Sequence, residues 1–329
     1  MLKHAALFAG IGGFELGIKA AGATNIRTDI FIENNPEAQR VLSYRFPKIK
    51  QHSDIRDWQP GPGQFNLFTI GFPCTGTSIA GDGSGLDHPE SSMWFYALRA
   101  IAQGRPDFII VENPTGLISK GLRAILGGLR MVEYSYEDPQ IISAAELGAP
   151  HERERLFIIA YTNNISQRFR EVPTGWHEQI RAEVEAVYQQ GGQATPNGGG
   201  VDDGIPNWLG RVPIGGHWRN TISATPAYPA TGHHLKNRRE CIDLYGRAVT
   251  PQQAEIVLKR VCYLAELAGI VNTDKHRQSN HDTSGNGAGG SFYNLDNPDN
   301  TSRKGTRCKE QGEEYFYQCP MPNAPCPIT

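Results

Sequence analysis

Long apolar runs are missing from this chain. None approaches the roughly 18 residues that a membrane-spanning helix needs, so no membrane association is expected. An excess of either charge is missing too: 32 Lys and Arg face 34 Asp and Glu, a net charge of −2, and no global basic field announces a nucleic-acid partner. Cysteine is scarce, six in 329 residues, and the six are scattered rather than spaced as a secreted disulfide framework. The N-terminus has one Lys and then Gly-rich chain with Glu15, which does not read as a signal peptide. Internal repeats are absent. What is present is 39% hydrophobic and 20% charged residues, enough apolar material for a sizeable core. A cytoplasmic enzyme is the expectation.

Up to about Tyr161, short apolar runs alternate with helical patterns, as in an α/β domain with a mostly parallel sheet. Residues 4–8, 28–32, 66–70, 107–111 and 156–161 read as buried strands, and 14–21, 36–46 and 92–103 as the helices between them. From 163 to 240 Gly, Pro, Asn and Gln accumulate, and a single short helix over 178–188 is expected in an otherwise irregular region. Within it, 204–239 has no Asp or Glu but holds Arg211, Arg219, Lys236, Arg238 and Arg239. Thr250-Pro251-Gln252-Gln253 then reads as a capping box opening a helix. Its apolar face is Val257, Val261, Leu264 and Ala268, and Gly269 ends it. The segment 271–329 is rich in Asn, Gly, Ser and Thr and reads as a disordered tail, where Cys308, Cys319 and Cys326 match no common zinc spacing.

Four short motifs carry chemistry. Phe8-Ala9-Gly10-Ile11-Gly12-Gly13 follows one strand and opens a helix, so its backbone can approach a ligand closely with helix N–H groups facing it. Glu33, about twenty residues on, ends the next strand where a carboxylate can accept bonds from ribose hydroxyls. Asp54-Ile55 ends the third strand, placed to meet an adenine. Alone, these describe a nucleoside cofactor, either a nicotinamide dinucleotide or S-adenosylmethionine. Gly71-Phe72-Pro73-Cys74 lies just past the fourth strand, a position for a nucleophile beside a Gly-rich stretch, although a buried cysteine is often just a small hydrophobe. Val111-Glu112-Asn113-Pro114 ends the fifth strand, where a carboxylate can enter a dry pocket or simply face solvent. In His151-Glu152-Arg153-Glu154-Arg155, strand alternation puts both arginines on one face, unless the run is merely a solvated one.

In this order and spacing the motifs resemble the cytosine-5 DNA methyltransferase family over residues 1 to about 162 and again over 244–268. The resemblance implies a Rossmann-like S-adenosylmethionine-dependent methyltransferase fold, catalytic over 1–162, with a target-recognition region at 163–240. The chain would return to the catalytic domain at 241–270. It implies transfer of a methyl group from S-adenosylmethionine, without a metal, to carbon 5 of a flipped-out cytosine in duplex DNA. Cys74 would be the nucleophile, Glu112 would hold the N3 and 4-amino edge, Arg155 the ring O2, and Arg153 would add positive potential near the thiolate or the DNA. Phe8, Gly10, Ile11, Gly12, Gly13, Glu33, Asp54, Ile55 and Pro73 would hold the cofactor. Arg211, Arg219, Arg238 and Arg239 are the expected DNA contacts. The family has Asn where Arg247 stands, and Gln with Phe or Trp in place of Thr75-Gly76-Thr77. A monomer is expected, with room for a separately acting restriction enzyme as a functional partner. Two other readings stay open: a tRNA cytosine-5 methyltransferase, and a catalytically silent DNA-binding relic. A nicotinamide oxidoreductase would leave Cys74 and the paired arginines without roles.

Overall fold

The computed structural model describes residues 1–73, 92–149, 152–191, 238–271, 308–310 and 313–315. Five strands come from the motif-bearing half: β1 (Leu2–Leu7), β2 (Ile26–Ile32), β3 (Lys50–His52), β4 (Leu67–Ile70) and β5 (Phe108–Pro114). They are joined by α1 (Gly13–Ala20), α2 (Pro36–Arg45) and α3 (Met93–Gly104). Then follow α4 (Leu117–Lys120), α5 (Leu122–Met131), β6 (Tyr134–Tyr136), β7 (Gln140–Ser143) and β8 (Glu154–Thr162). Four helices continue the chain: α6 (Asn163–Gln167), α7 (Trp176–Gly191), α8 (Arg238–Arg247) and α9 (Pro251–Leu267). A two-stranded antiparallel pair, β9 (Cys308–Glu310) and β10 (Glu313–Tyr315), ends the described residues.

The main sheet has eight strands in the order β3-β2-β1-β4-β5-β8-β6, with β7 pairing to β8. From β3 to β5 every pairing is parallel, whereas β8 runs antiparallel to β5, β6 and β7. The carboxyl ends of β1, β2, β4 and β5 therefore share one edge with the amino end of β8. Both faces of the sheet are covered, which is why β4 and the first six residues of β5 are buried without alternation. Phe14, Leu67, Phe108, Ile110, Val257 and Val261 share one core cluster, so α1 and α9 cover that face. Ile70, Trp94, Ile101, Ile109, Val111 and Leu129 share the other, under α3 and α5. The entry to α2 is fixed locally: Asn35 accepts from the N–H groups of Glu37 and Ala38 at 2.8 and 3.1 Å, and Pro36 opens the helix.

Several expectations change. Residues 163–191 hold two helices rather than one, and Ile165, Trp176 and Ile180 enter the core beside Val257 and Val261. The expected irregular region therefore begins with chain that is packed on the main sheet. Arg260 of α9, 1% exposed, ties α7 and β6 to it by bonding the Glu137 carboxylate, the Thr174 carbonyl at 2.8 Å and Gln179. The capping box is not formed as such. Thr250 starts α9, but its hydroxyl bonds the Gln253 side-chain oxygen instead of a backbone N–H. The end of the expected irregular region, 238–240, opens α8, and part of the expected tail pairs as β9 and β10. The remaining tail, all of 192–237 with Arg211 and Arg219, and the segment from Cys74 to 91 lie outside the described residues.

Candidate active site

At the end of β1 the chain turns through three left-handed residues, Phe8 (φ 56°), Gly10 (φ 57°) and Gly12 (φ 86°). Gly12 caps α1 with no side-chain bond to the first-turn N–H groups, leaving those of Gly13 and Phe14 as potential donors. A Cβ on Gly13 would stand 2.3 Å from the Val249 carbonyl oxygen, so only glycine lets the chain after α8 lie against this turn. A Cβ on Gly10 would meet nothing within 4 Å, so the turn has one open side. Ile11 points the other way, buried with Ala38, Val41 and Leu244.

Glu33 stands beside this turn, 9% exposed. One carboxylate oxygen accepts from the Gly10 N–H and the other from the Asn35 N–H, both at 2.8 Å. Burial pushes its pKa up, while the Asn35, Gly10 and Asn34 N–H groups and the Arg247 charge pull it down. Each oxygen keeps acceptor capacity for a hydroxyl. An open-sided glycine turn, uncapped helix amides and a fixed carboxylate fit a nucleoside cofactor. Asp54 is engaged by Arg56, whose guanidinium holds the carboxyl below its usual range. The Ile55 side chain is buried in the core, and its carbonyl is one of three that Arg99 captures, with those of Arg56 and Trp58, at 2.6–2.9 Å.

Glu112 lies at the same edge, 6% exposed near the end of β5. The register sets Glu112 opposite Phe157 and Pro114 opposite Arg155. Glu112 and Arg155 are thus diagonal neighbours on one face, and Arg155 Nε lies 2.9 Å from Glu112 Oε1. Burial raises the Glu112 pKa, and the Arg155 and Arg153 charges oppose the rise. A Cβ on Gly71 would come 3.3 Å from Glu112 Oε2. Asn113 Nδ2 donates to the Phe72 carbonyl at 3.0 Å. The segment 71–73, to which Cys74 is joined, is therefore tied to the strand that carries Glu112. Cys74 itself lies outside the described residues, while Pro73 is half-buried at the rim.

Arg153 and Arg155 are half-buried and Glu152 and Glu154 exposed, as alternation requires. Arg153 also reaches further than its position suggests, donating to the carbonyls of Gly246 and Ala248 at 2.7 and 2.6 Å. Arg238 and Arg239 occupy the first turn of α8. Sequence reasoning missed Arg99 and assigned Gln253 only to a cap. Their partners lie 41 to 111 residues away, and no local pattern encodes such distances.

Among the described residues no group of His, Cys, Asp or Glu could hold a metal ion, and no helix is long and apolar enough to cross a membrane. Among curated relatives, the type II methyltransferase M2.BsuMI of Bacillus subtilis (strain 168) is 32% identical over 167 residues, 48% of this chain and 42% of the relative. M.HhaI of Haemophilus parahaemolyticus is 26% identical over 169 residues, 50% of each chain. The chain spans about half the length of the curated relatives it matches. The solved structure of the methyltransferase EhMeth of Entamoeba histolytica has a TM-score of 0.52 at 14% identity, covering 83% of this chain and 99% of its own. At that identity the likeness is one of fold. A family model described as C-5 cytosine-specific DNA methylase matches residues 2–195. That span includes the glycine turn, Glu33, Pro73-Cys74, Glu112, Arg153 and Arg155, and the chain belongs to the C-5 cytosine-specific DNA methylase family.

Proposed function

We propose that the protein methylates carbon 5 of cytosine in duplex DNA, with S-adenosylmethionine as donor and Cys74 as a transient covalent nucleophile. The observation that carries this reading is the 2.9 Å ion pair of half-buried Arg155 with buried Glu112, whose strand is bonded to the segment that leads into Cys74. The donor would lie along Phe8, Gly10, Ile11, Gly12 and Gly13, with its ribose on Glu33, its adenine beside Asp54 and Ile55, and Pro73 nearby. When bound, it supplies a methyl group on cationic sulfur, electrophilic enough for a carbon nucleophile.

Carbon 5 of cytosine is a poor nucleophile while the ring is aromatic. Attack of the Cys74 thiolate on carbon 6 breaks the aromaticity and makes carbon 5 enamine-like. Glu112 holds the N3 and 4-amino edge, and a proton there keeps negative charge from building on the ring. Its burial favours the protonated form that this task needs. Arg155 holds O2, while the Arg153 charge favours a thiolate nearby. Loss of the carbon 5 proton then expels Cys74 and restores the ring. None of this can occur inside a stacked duplex, so the cytosine must be flipped out. Arg211, Arg219, Arg238 and Arg239 are the proposed DNA contacts in a chain with no net positive charge. An alanine at a phosphate-contacting position among them should lower the log–log salt slope of binding by about one.

The test uses labelled S-adenosylmethionine with duplex DNA and, separately, tRNA. Label at carbon 5 of cytosine in DNA is the expected result. Label in tRNA alone would replace the acceptor, and label in neither would overturn the reading. Duplex carrying 5-fluorocytosine should form a covalent adduct, because fluorine cannot leave as a proton does. An adduct that persists in Cys74→Ala would remove Cys74 as nucleophile.

A further inference from the structure

Gln253 lies in the first turn of α9 with none of its surface exposed. Its side-chain nitrogen donates to the carbonyls of Ile142 and Arg153, each at 2.7 Å, and its oxygen accepts from the Thr250 hydroxyl. Both amide protons are thus spent where β7 and β8 meet, at the start of the strand that carries Arg155. In the opposite direction, the Arg153 guanidinium donates to the carbonyls of Gly246 and Ala248. Together these bonds close a ring through the 246–248 segment, Thr250, Gln253 and Arg153. One side of the ring abuts the glycine turn, where Val249 lies against Gly13. The other side leads along β8 to Arg155 and so to Glu112.

A primary amide suits this place because it offers two donor protons and an acceptor without a charge. The Arg153 carbonyl also accepts from the Ala144 N–H, at 3.2 Å, so the Gln253 amide is its second and shorter partner, and losing that bond leaves the start of β8 held there by the longer one alone. We propose that Gln253 is a positioning residue for methyl transfer, fixing through the Arg153 carbonyl the place where Arg155 meets Glu112. The inference rests on the roles given above to Glu112 and Arg155. A displacement of Arg155 by about 1 Å is enough for a rate loss on the order of 100-fold.

The deciding comparison is wild type against Gln253→Met, which keeps the length of the side chain and removes both donors. Single-turnover methyl transfer per folded molecule should fall roughly 10- to 100-fold, while S-adenosylmethionine affinity measured by calorimetry changes little. The alkaline limb of the rate profile should move to higher pH, because a loosened Arg155 no longer lowers the Glu112 pKa as far. In protein labelled with 15N-arginine, the Arg155 Nε–H resonance, identified by its loss in Arg155→Lys, should broaden or vanish. Gln253→Asn, one methylene shorter, carries the same measurements if the Met variant does not fold. An active wild type whose Gln253 variant melts earlier but keeps the rate, the pH profile and the Arg155 resonance would overturn the inference alone. A wild type with no methyl transfer to cytosine would instead overturn the reading beneath it.

Discussion

In the parallel half of the sheet the buried glutamate at the working edge is Glu33, held by the N–H groups of Gly10 and Asn35. At the junction where β5 meets the antiparallel strand β8 it is Glu112, held by Arg155 and influenced by Arg153. Burial raises both pKa values, and what opposes the rise differs. Most of the help to Glu33 is neutral and local: backbone dipoles from its own loop and the adjoining turn, which cannot move without unfolding that turn. Full charges help Glu112, carried on long side chains from a strand far away in sequence. A carboxylate fixed by dipoles is a steady acceptor, suited to hydroxyl recognition. The protonation of Glu112, by contrast, is set by burial against the arginine charges, so it responds to where the arginines stand.

The largest expected effect breaks the second arrangement. Glu112→Gln keeps the size of the side chain but cannot share a proton with the base, and leaves Arg155 without its carboxylate. The methylation rate should fall by roughly 10²- to 10⁴-fold, with S-adenosylmethionine binding nearly unchanged by calorimetry. A rate within a few-fold of wild type would remove Glu112 from the chemistry.

Glu33→Gln sharpens the contrast from the other side. Its new NH₂ group must face either the Gly10 or the Asn35 N–H, donor against donor. The expected loss is in cofactor binding, on the order of 10- to 100-fold for charge-assisted bonds, with the rate at saturating cofactor largely kept. Glutamine variants at 33 and 112 should thus separate into a KM effect and a kcat effect. If both lowered the saturating rate equally, the two carboxylates would not divide the work as proposed.

The parallel half was legible because its functional groups sit where an apolar run stops. Glu33 follows Ile32, Gly71 follows Ile70, and Glu112 follows Val111, so strand ends located the site before any contact was known. The antiparallel half was only partly legible. β6 and β7 have three and four residues, too short for periodicity to register. Residues 163–177 look irregular because Pro173, Gly175 and polar residues precede Trp176, yet the Ile165 and Trp176 side chains reach the core. For Gln253, the local signal was a capping box, and two carbonyls 111 and 100 residues earlier in the chain competed for its amide and won.

The smallest effect concerns a second buried pair, beneath the glycine turn. His4 is fully buried between the hydroxyls of Thr28 and Thr69, each 2.8 Å from a ring nitrogen. One donor and one acceptor suit a neutral imidazole, and burial lowers its pKa from 6.5 to about 3, with Asp29 opposing. Glu15 of α1 lies 3.8 Å from the same ring, and burial raises its pKa from 4.5 to about 7 against its own backbone amide and Arg45. The two shifts act on stability in opposite directions. Below pH 6.5 the unfolded chain takes up a proton at His4 that the folded chain refuses, so this contribution is lost as pH falls toward 3. Above pH 4.5 the unfolded chain gives up a proton at Glu15 that the folded chain retains, so that contribution is lost as pH rises toward 7. Between pH 4.5 and 6.5 they offset one another. Just above, from 6.5 to 7, Glu15 alone remains and stability should decline. Glu15→Gln removes this decline, so its melting temperature should exceed wild type by a few degrees at pH 8 and by less at pH 5. Melting curves of the two proteins across pH 4–9 measure it, and a constant offset between them at every pH would mean that Glu15 does not titrate as its burial requires.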